Sequence, residues 1–275
     1  NIDANVTTFG GAFTATGASS FDSRGRAITT SGQTSRAGGV VTITTSTGDL
    51  SVGGINTNGA SGGYDGGAVT LVAAGALNVT NALNVQGGGA ATGGAGGNVS
   101  FTGANGIVVS GSINASGGSS LNVGPGGTIT FHSDTVLGAI VAFNTGTDSG
   151  GITFAGTLDS DGTARALTLE AGTGDINFDG AVGNTNPLGA VTINSVATLD
   201  TDGVFKAASF KQNAGSVLTQ FDGAVTLTGN FDFTGQALTV NGSGHTVGGT
   251  MDVSNAGLFT TADAADLTVT GQFTQ

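Results

Sequence analysis

Apolar and polar residues alternate in short runs along most of the chain, and the runs recur in register. Gly-Gly pairs begin at Gly10, Gly38, Gly66, Gly96, Gly126 and Gly150, at intervals of 28, 28, 30, 30 and 24 residues. Aligned on those pairs, Phe13, Val41, Val69, Val99 and Ile129 share one position. Ala15, Ile43, Leu71, Phe101 and Phe131 follow two residues later, with Thr14, Thr42, Thr70, Ser100 and Thr130 between. A period of two predicts a strand with one buried face. Five copies in register predict that the buried positions stack into columns.

Each unit holds two more such strands. The middle one is Leu50-Ser51-Val52, Leu77-Asn78-Val79 and Ile107-Val108-Val109. The third reads Ile28 to Gly32, Ile55 to Gly59, Leu83 to Gly87 and Ile113 to Gly117. A Gly-rich loop, such as Gly87 to Gly97 or Gly117 to Gly127, then leads to the next Gly-Gly pair. Three short strands and one variable loop describe one coil of a three-sided solenoid, whose inward face is covered only by its neighbours. The competing all-β arrangement is a sandwich or propeller, which needs hairpins. Asn58-Gly59, Asn105-Gly106 and Asp179-Gly180 are hairpin-type dipeptides. A sandwich does not explain one repeated unit with matched inward columns, so the expected fold is an all-β, right-handed parallel β-helix.

Beyond Gly150 the pattern loosens. Gly189-Ala190-Val191-Thr192-Ile193 and Gly223-Ala224-Val225-Thr226-Leu227 echo Gly67-Ala68-Val69-Thr70-Leu71. Phe178-Asp179-Gly180-Ala181-Val182 returns as Phe221-Asp222-Gly223-Ala224-Val225. This half reads as the same solenoid with shorter loops and a bulkier core. The expectation is one domain over residues 1–275, with regular coils of 28–30 residues over 10–151 and degenerate coils over 152–275. About ten coils at about 4.8 Å each make a rod ~50 Å long.

Composition changes the picture mainly by exclusion. The chain has 275 residues with 53 Gly, two Pro and no Cys or Trp. Gly, Thr, Ser, Val and Asn rank low in helix propensity, so long helices are not expected. The charged fraction is 9% and the formal net charge is −12, with no Lys or Arg between Arg36 and Arg165. A continuous phosphate-binding stripe cannot form there, which argues against nucleic acid as a partner. No apolar run approaches the 18 residues of a membrane-spanning helix. The lack of Cys removes disulfides and thiolate metal sites, and it fits an extracellular protein that avoids disulfides. The start at Asn1 reads as a mature or partial chain.

Gly38-Gly39-Val40-Val41-Thr42-Ile43-Thr44 and the later Ile55-Asn56-Thr57-Asn58-Gly59-Ala60-Ser61-Gly62-Gly63 resemble the repeats of large bacterial surface exoproteins. These are the filamentous-haemagglutinin-like and autotransporter-type β-solenoid proteins. The likeness covers residues 10–151 well and the remainder loosely. It implies an extracellular, cell-surface shaft rather than an enzyme. Neither the family's amino-terminal secretion module nor its membrane barrel is recognisable.

Few residues suggest chemistry. Gly59-Ala60-Ser61-Gly62-Gly63 matches the G-x-S-x-G pattern of hydrolases, but in a glycine loop rather than a strand–turn–helix. His132 sits at the outward position equivalent to Thr44, and Val72 and His132 interrupt what would be an ice-binding Thr array. Asn56, Asn84 and Asn114 suggest an amide ladder along the stack. The repeated acidic pairs Asp159/Asp161 and Asp200/Asp202 are the candidate metal ligands. If they stacked in adjacent coils, their carboxylates would suit calcium, because hard cations prefer oxygen donors. The plainer reading of Asp-x-Asp-Gly is an Asx turn ending a strand. The same pairs are the only repeated acidic pairs, and so the carboxylates that a polysaccharide-cleaving β-helix enzyme would use.

Both ends read as strands, Asn1 to Thr7 and Leu267 to Thr274, with no amphipathic helix over either. Exposed edges invite pairing with another chain. The expected partner is therefore a further solenoid segment, joined head to tail. The alternative is glycan or cell-surface binding through the Gly-rich loops.

Overall fold

The computed structural model describes every residue except Ser120 and residues 263–265. Ser120 falls within the predicted loop from Gly117 to Gly127, so that position lies outside the described residues. The described chain is all strand and loop, wound into about 11 turns of a parallel β-solenoid. No helix among the described residues is long and apolar enough to cross a membrane.

Three faces carry the strands. On the first, Phe13, Val41, Val69, Val99 and Ile129 pair in that order, as the alternation predicts. The column continues through Ile152, Ile176 and Leu199. On the second face, Phe21, Leu50, Leu77, Ile107, Thr135 and Leu158 are neighbours. On the third, Val6, Ile28, Ile55, Leu83, Ile113 and Phe143 are neighbours. Every one of these pairings is parallel, which excludes the hairpin-built sandwich.

The inward side chains of the three faces form one continuous buried cluster. Its first-face column changes from aliphatic to aromatic along the rod: Ile43, Leu71, Phe101, Phe131, Phe154, Phe178. Phe131 and Phe154 stack at 4.7 Å, and Phe154 and Phe178 at 5.1 Å, with rings nearly parallel. At the next rung the column narrows to buried Thr201. Phe205 from the second face and Phe210 from the third fill that space, each edge-on to Phe221.

The glycine pairs have a steric cause. A Cβ on Gly66 or Gly96 would overlap the carbonyl oxygen of Val85 or Ala115. One on Gly67 or Gly97 would overlap that of the Gly in the coil below, Gly39 or Gly67. The Gly-rich loops are therefore out-and-back arms whose two limbs lie backbone to backbone. Gly94 N–H donates to Gly88 O, Gly97 N–H to Val85 O and Gly124 N–H to Gly118 O within the arms, and Gly118 N–H to Gly94 O joins one arm to the next. Where the loop is short, a buried Thr at the end of the third face closes it. Thr30 and Thr57 donate their hydroxyls to the carbonyls of Gly39 and Gly67.

In the looser half the coils lose these arms. Leu188–Thr201 runs from the end of the second face through the third to the first within a single strand, and Phe205–Gln212 runs from the second to the third. Here the phrase matching is off by a face. Val191 neighbours Leu167 on the third face, and Val225 neighbours Phe205 on the second, whereas Val69 belongs to the first. All three faces share one alternation, so a five-residue phrase fits any of them.

Candidate functional site

The strands of the first face end in a corner where the chain turns to the second. The backbone fixes that corner by the same bond in successive coils. Asp179 N–H donates to Phe154 O, Asp202 to Phe178 O, Asp222 to Thr201 O and Asn241 to Phe221 O, all at 2.8–3.0 Å. Asp179, Asp202, Asp222 and Asn241 therefore form a column. Each is followed by Gly, and a Cβ on Gly223 would overlap the Gly203 carbonyl below it.

Asp200 stands beside this column on the outward face of its strand, between Asn177 and Gln220. Carboxylate oxygens of Asp200, Asp202 and Asp222 lie within 4.8 Å of one another. Asp222 is supported by amides: Asn241 Nδ2 donates to it at 2.6 Å and Gln220 Nε2 at 3.0 Å. Asp200 Oδ1 is covered and has no hydrogen-bond partner among the described residues. Burial, and then the charges of Asp202 and Asp222, hold the Asp200 carboxyl above the ordinary carboxylate range. The corner is a set of hard oxygen donors under mutual repulsion, which a proton or a cation would relieve.

The candidate pairs do not stack on each other. Asp159 lies on the second face beside Val136, and Asp200 on the first beside Asn177. Asp159 Oδ1 accepts the backbone N–H groups of Thr185 and Asn186 at 2.9 and 3.0 Å. Asp161 holds Arg165 through two hydrogen bonds, and that guanidinium keeps its carboxyl below the ordinary range. Asp159 and Asp161 shape the adjoining loop. The cluster joins Asp200 and Asp202 with Asp222 instead, a residue outside the repeated pairs. The returning phrase Phe-Asp-Gly-Ala-Val at 178 and 221 carried that signal, because it marks one corner in two coils.

Asn56, Asn84, Asn114 and Asn144 do form an in-register column. Asn56 Oδ1 accepts the Ser31 hydroxyl of the preceding coil at 2.8 Å. Asn56, Asn114 and Asn144 each accept the backbone N–H two residues on, as Asx turns. Beside the arms runs an open polar groove of about 350 Å³, lined by Asn58, Ser61, Gln86, Ser116 and Ser119 among glycines. Ser61 of the hydrolase-like pattern lies on this arm, outside any strand or helix. His132 is exposed on the outward surface, 3.2 Å from Ser100 Oγ.

Parallel register and a continuous stacked core define this chain as a β-solenoid repeat protein of the β-helix kind. No protein-family model matches it, and neither curated proteins nor solved structures show a significant similarity to it.

Proposed function

We propose that the chain is a non-enzymatic extracellular structural protein, a solenoid segment or subunit that stacks end to end into a surface filament or stalk. That is the role implied by its resemblance to filamentous-haemagglutinin-like and autotransporter-type repeats. The observation that carries this reading is that both end coils leave apolar inward positions partly uncovered on all three faces. Ile2, Val6 and Phe13 are half-buried at one end; Phe259 and Leu267 are half-buried and Phe273 is 44% exposed at the other. Ile2 N–H donates to Asp22 O, which places it under the second face. Stacked head to tail, Phe259 would cover Phe13, Leu267 would cover Ile2, and Phe273 would cover Val6.

Charge favours the same order. Residues 1–36 hold Arg24, Arg26 and Arg36 against Asp3 and Asp22. Residues 213–275 hold five Asp and no Lys or Arg. A basic end and an acidic end steer head-to-tail encounter. Such a contact does not close, so it propagates. Electron microscopy and sedimentation across a concentration series test the reading: rods should lengthen with concentration. Short monodisperse rods at high concentration would refute it.

The polar groove beside the arms favours a second reading, an adhesin that binds glycan or cell surfaces. Binding on a glycan array, lost on Gln86→Ala, would support it; an array without hits would count against it.

A further inference from the structure

The outward side of the third face changes character along the rod. Ala142, Thr168 and Thr192 share one outward column, which then carries Lys211, Asp232 and Asp252 on successive rungs. Two residues further along the strands, Thr234 and Ser254 pair beside them. Asn255 fixes the adjoining corner by donating its Nδ2 to Gly257 O at 2.7 Å. These side chains line an open groove of about 840 Å³, within the ~300–1,000 Å³ usual for small-molecule sites. With rungs about 4.8 Å apart, and the two columns roughly 6.6 Å apart along the strands, the groove presents two parallel rows of polar groups.

The charges in this groove are unspent. Elsewhere carboxylates serve the rod's own backbone: Asp49 accepts the N–H of Ala76, Asp65 that of Ala95, Asp134 that of Thr157 and Asp175 that of Thr198, at 2.7–3.0 Å. Arg24 and Arg165 hold Asp22 and Asp161, and Lys206 Nζ donates to Asn184 at 2.9 Å. The side chains of Lys211, Asp232 and Asp252 have no hydrogen-bond or ion-pair partner among the described residues.

The groove's apolar residues, Phe233 and Val253, are 2% and 4% exposed. An apolar ligand therefore finds no exposed ring or branched side chain to cover. A polyanion meets Asp232 and Asp252, and a polycation meets Lys211. An uncharged polyol suits all three, because its hydroxyls donate to carboxylates and accept from an ammonium. We propose that this groove binds a neutral oligosaccharide laid across the rungs, with sugar hydroxyls donating to Asp232 and Asp252 and a sugar oxygen accepting from Lys211. The hydroxyls of Thr234 and Ser254 form the second row of contacts. The site is separate from the polar groove beside the arms, and it does not depend on end-to-end stacking.

A glycan array probed with the full chain, with calorimetry on each hit, tests this. Hits should be uncharged, and their affinity nearly flat between about 0.05 and 0.5 M salt, because a neutral ligand brings no charge to screen. Asp232→Ala and Lys211→Met should each weaken binding about tenfold or more, as hydrogen bonds to charged groups do. Gln86→Ala, in the groove beside the arms, should leave it unchanged. Bound oligosaccharide should slow amide exchange at 231–235 and 251–257. Should Asp232→Ala fail to fold, Asp252→Ala, at an exposed position, gives the same readout. An array without hits, or with hits confined to charged glycans, would overturn the assignment. So would binding that Gln86→Ala abolishes and the groove variants leave intact.

Discussion

Phe154 is the sharpest test of how this rod is held together. Its ring is 1% exposed and lies between Phe131 at 4.7 Å and Phe178 at 5.1 Å, with interplanar angles of 2° and 9°. Burying a Phe side chain removes about 150–250 Å² from water; at about 25 cal/mol per Å² this amounts to roughly 4–6 kcal/mol. The two stacked contacts add a fraction of about 1 kcal/mol each. Phe→Ala in closed cores costs about 3–5 kcal/mol, so Phe154→Ala should sit near the top of that range. Phe13 has the same alternation at the end of the rod, but it is half-buried with one edge contact, to Phe21 at 6.3 Å. Phe13→Ala should therefore cost about 2 kcal/mol. The assay is urea unfolding by far-ultraviolet circular dichroism, with hydrogen exchange to locate the opening. Coils contact only their neighbours, so exchange in Phe154→Ala should rise first around residues 129–178. A cost below about 1.5 kcal/mol, or equal costs for the two variants, would refute stacking as the source of cohesion.

Other outcomes follow from the same geometry. Gly96→Ala should cost more than about 3 kcal/mol, because its Cβ meets backbone rather than a movable side chain. Gly162→Ala, with φ +95 and open space around it, should cost only about 1 kcal/mol by the same denaturation measurement. Asp200→Asn should stabilise the chain by about 1 kcal/mol at neutral pH, by removing an ionised group with an unsatisfied oxygen. The sign follows from its raised folded-state pKa: the ionised form is a cost at neutral pH, relieved as pH falls through that value towards 3.8. A pH–stability profile in which Asp200→Asn matches the wild type would contradict this. Asp22 has the opposite sign. Arg24 holds its carboxyl at about 2, so its contribution is present above 3.8 and lost as pH falls towards 2. As a solvent-screened surface pair its effect should be small, read as the difference between wild type and Arg24→Gln at pH about 5.

The coil is written in the order of residues alone. Alternation of period two sets which side chains point inward, and the Gly-Gly interval sets which coils lie in register. Those two rules make Val41, Val69, Val99 and Ile129 neighbours, and they pair in that order. The steric need for Gly at each arm makes that register legible, since no other residue fits between two backbones. In the second half the arms shorten and that marker goes. The three faces then differ in nothing a local phrase records, so Val191 and Val225 carry no sign of the face they join. Which acids meet depends on how the coils stack. Asp159 and Asp161 turn to a loop and an arginine, while Asp222 arrives beside Asp200 and Asp202 from the next coil. Stacking also sets Lys211, Asp232 and Asp252 on successive rungs of one outward column. Both are relations between residues about 20 positions apart, and they exist only once the coils are packed on one another.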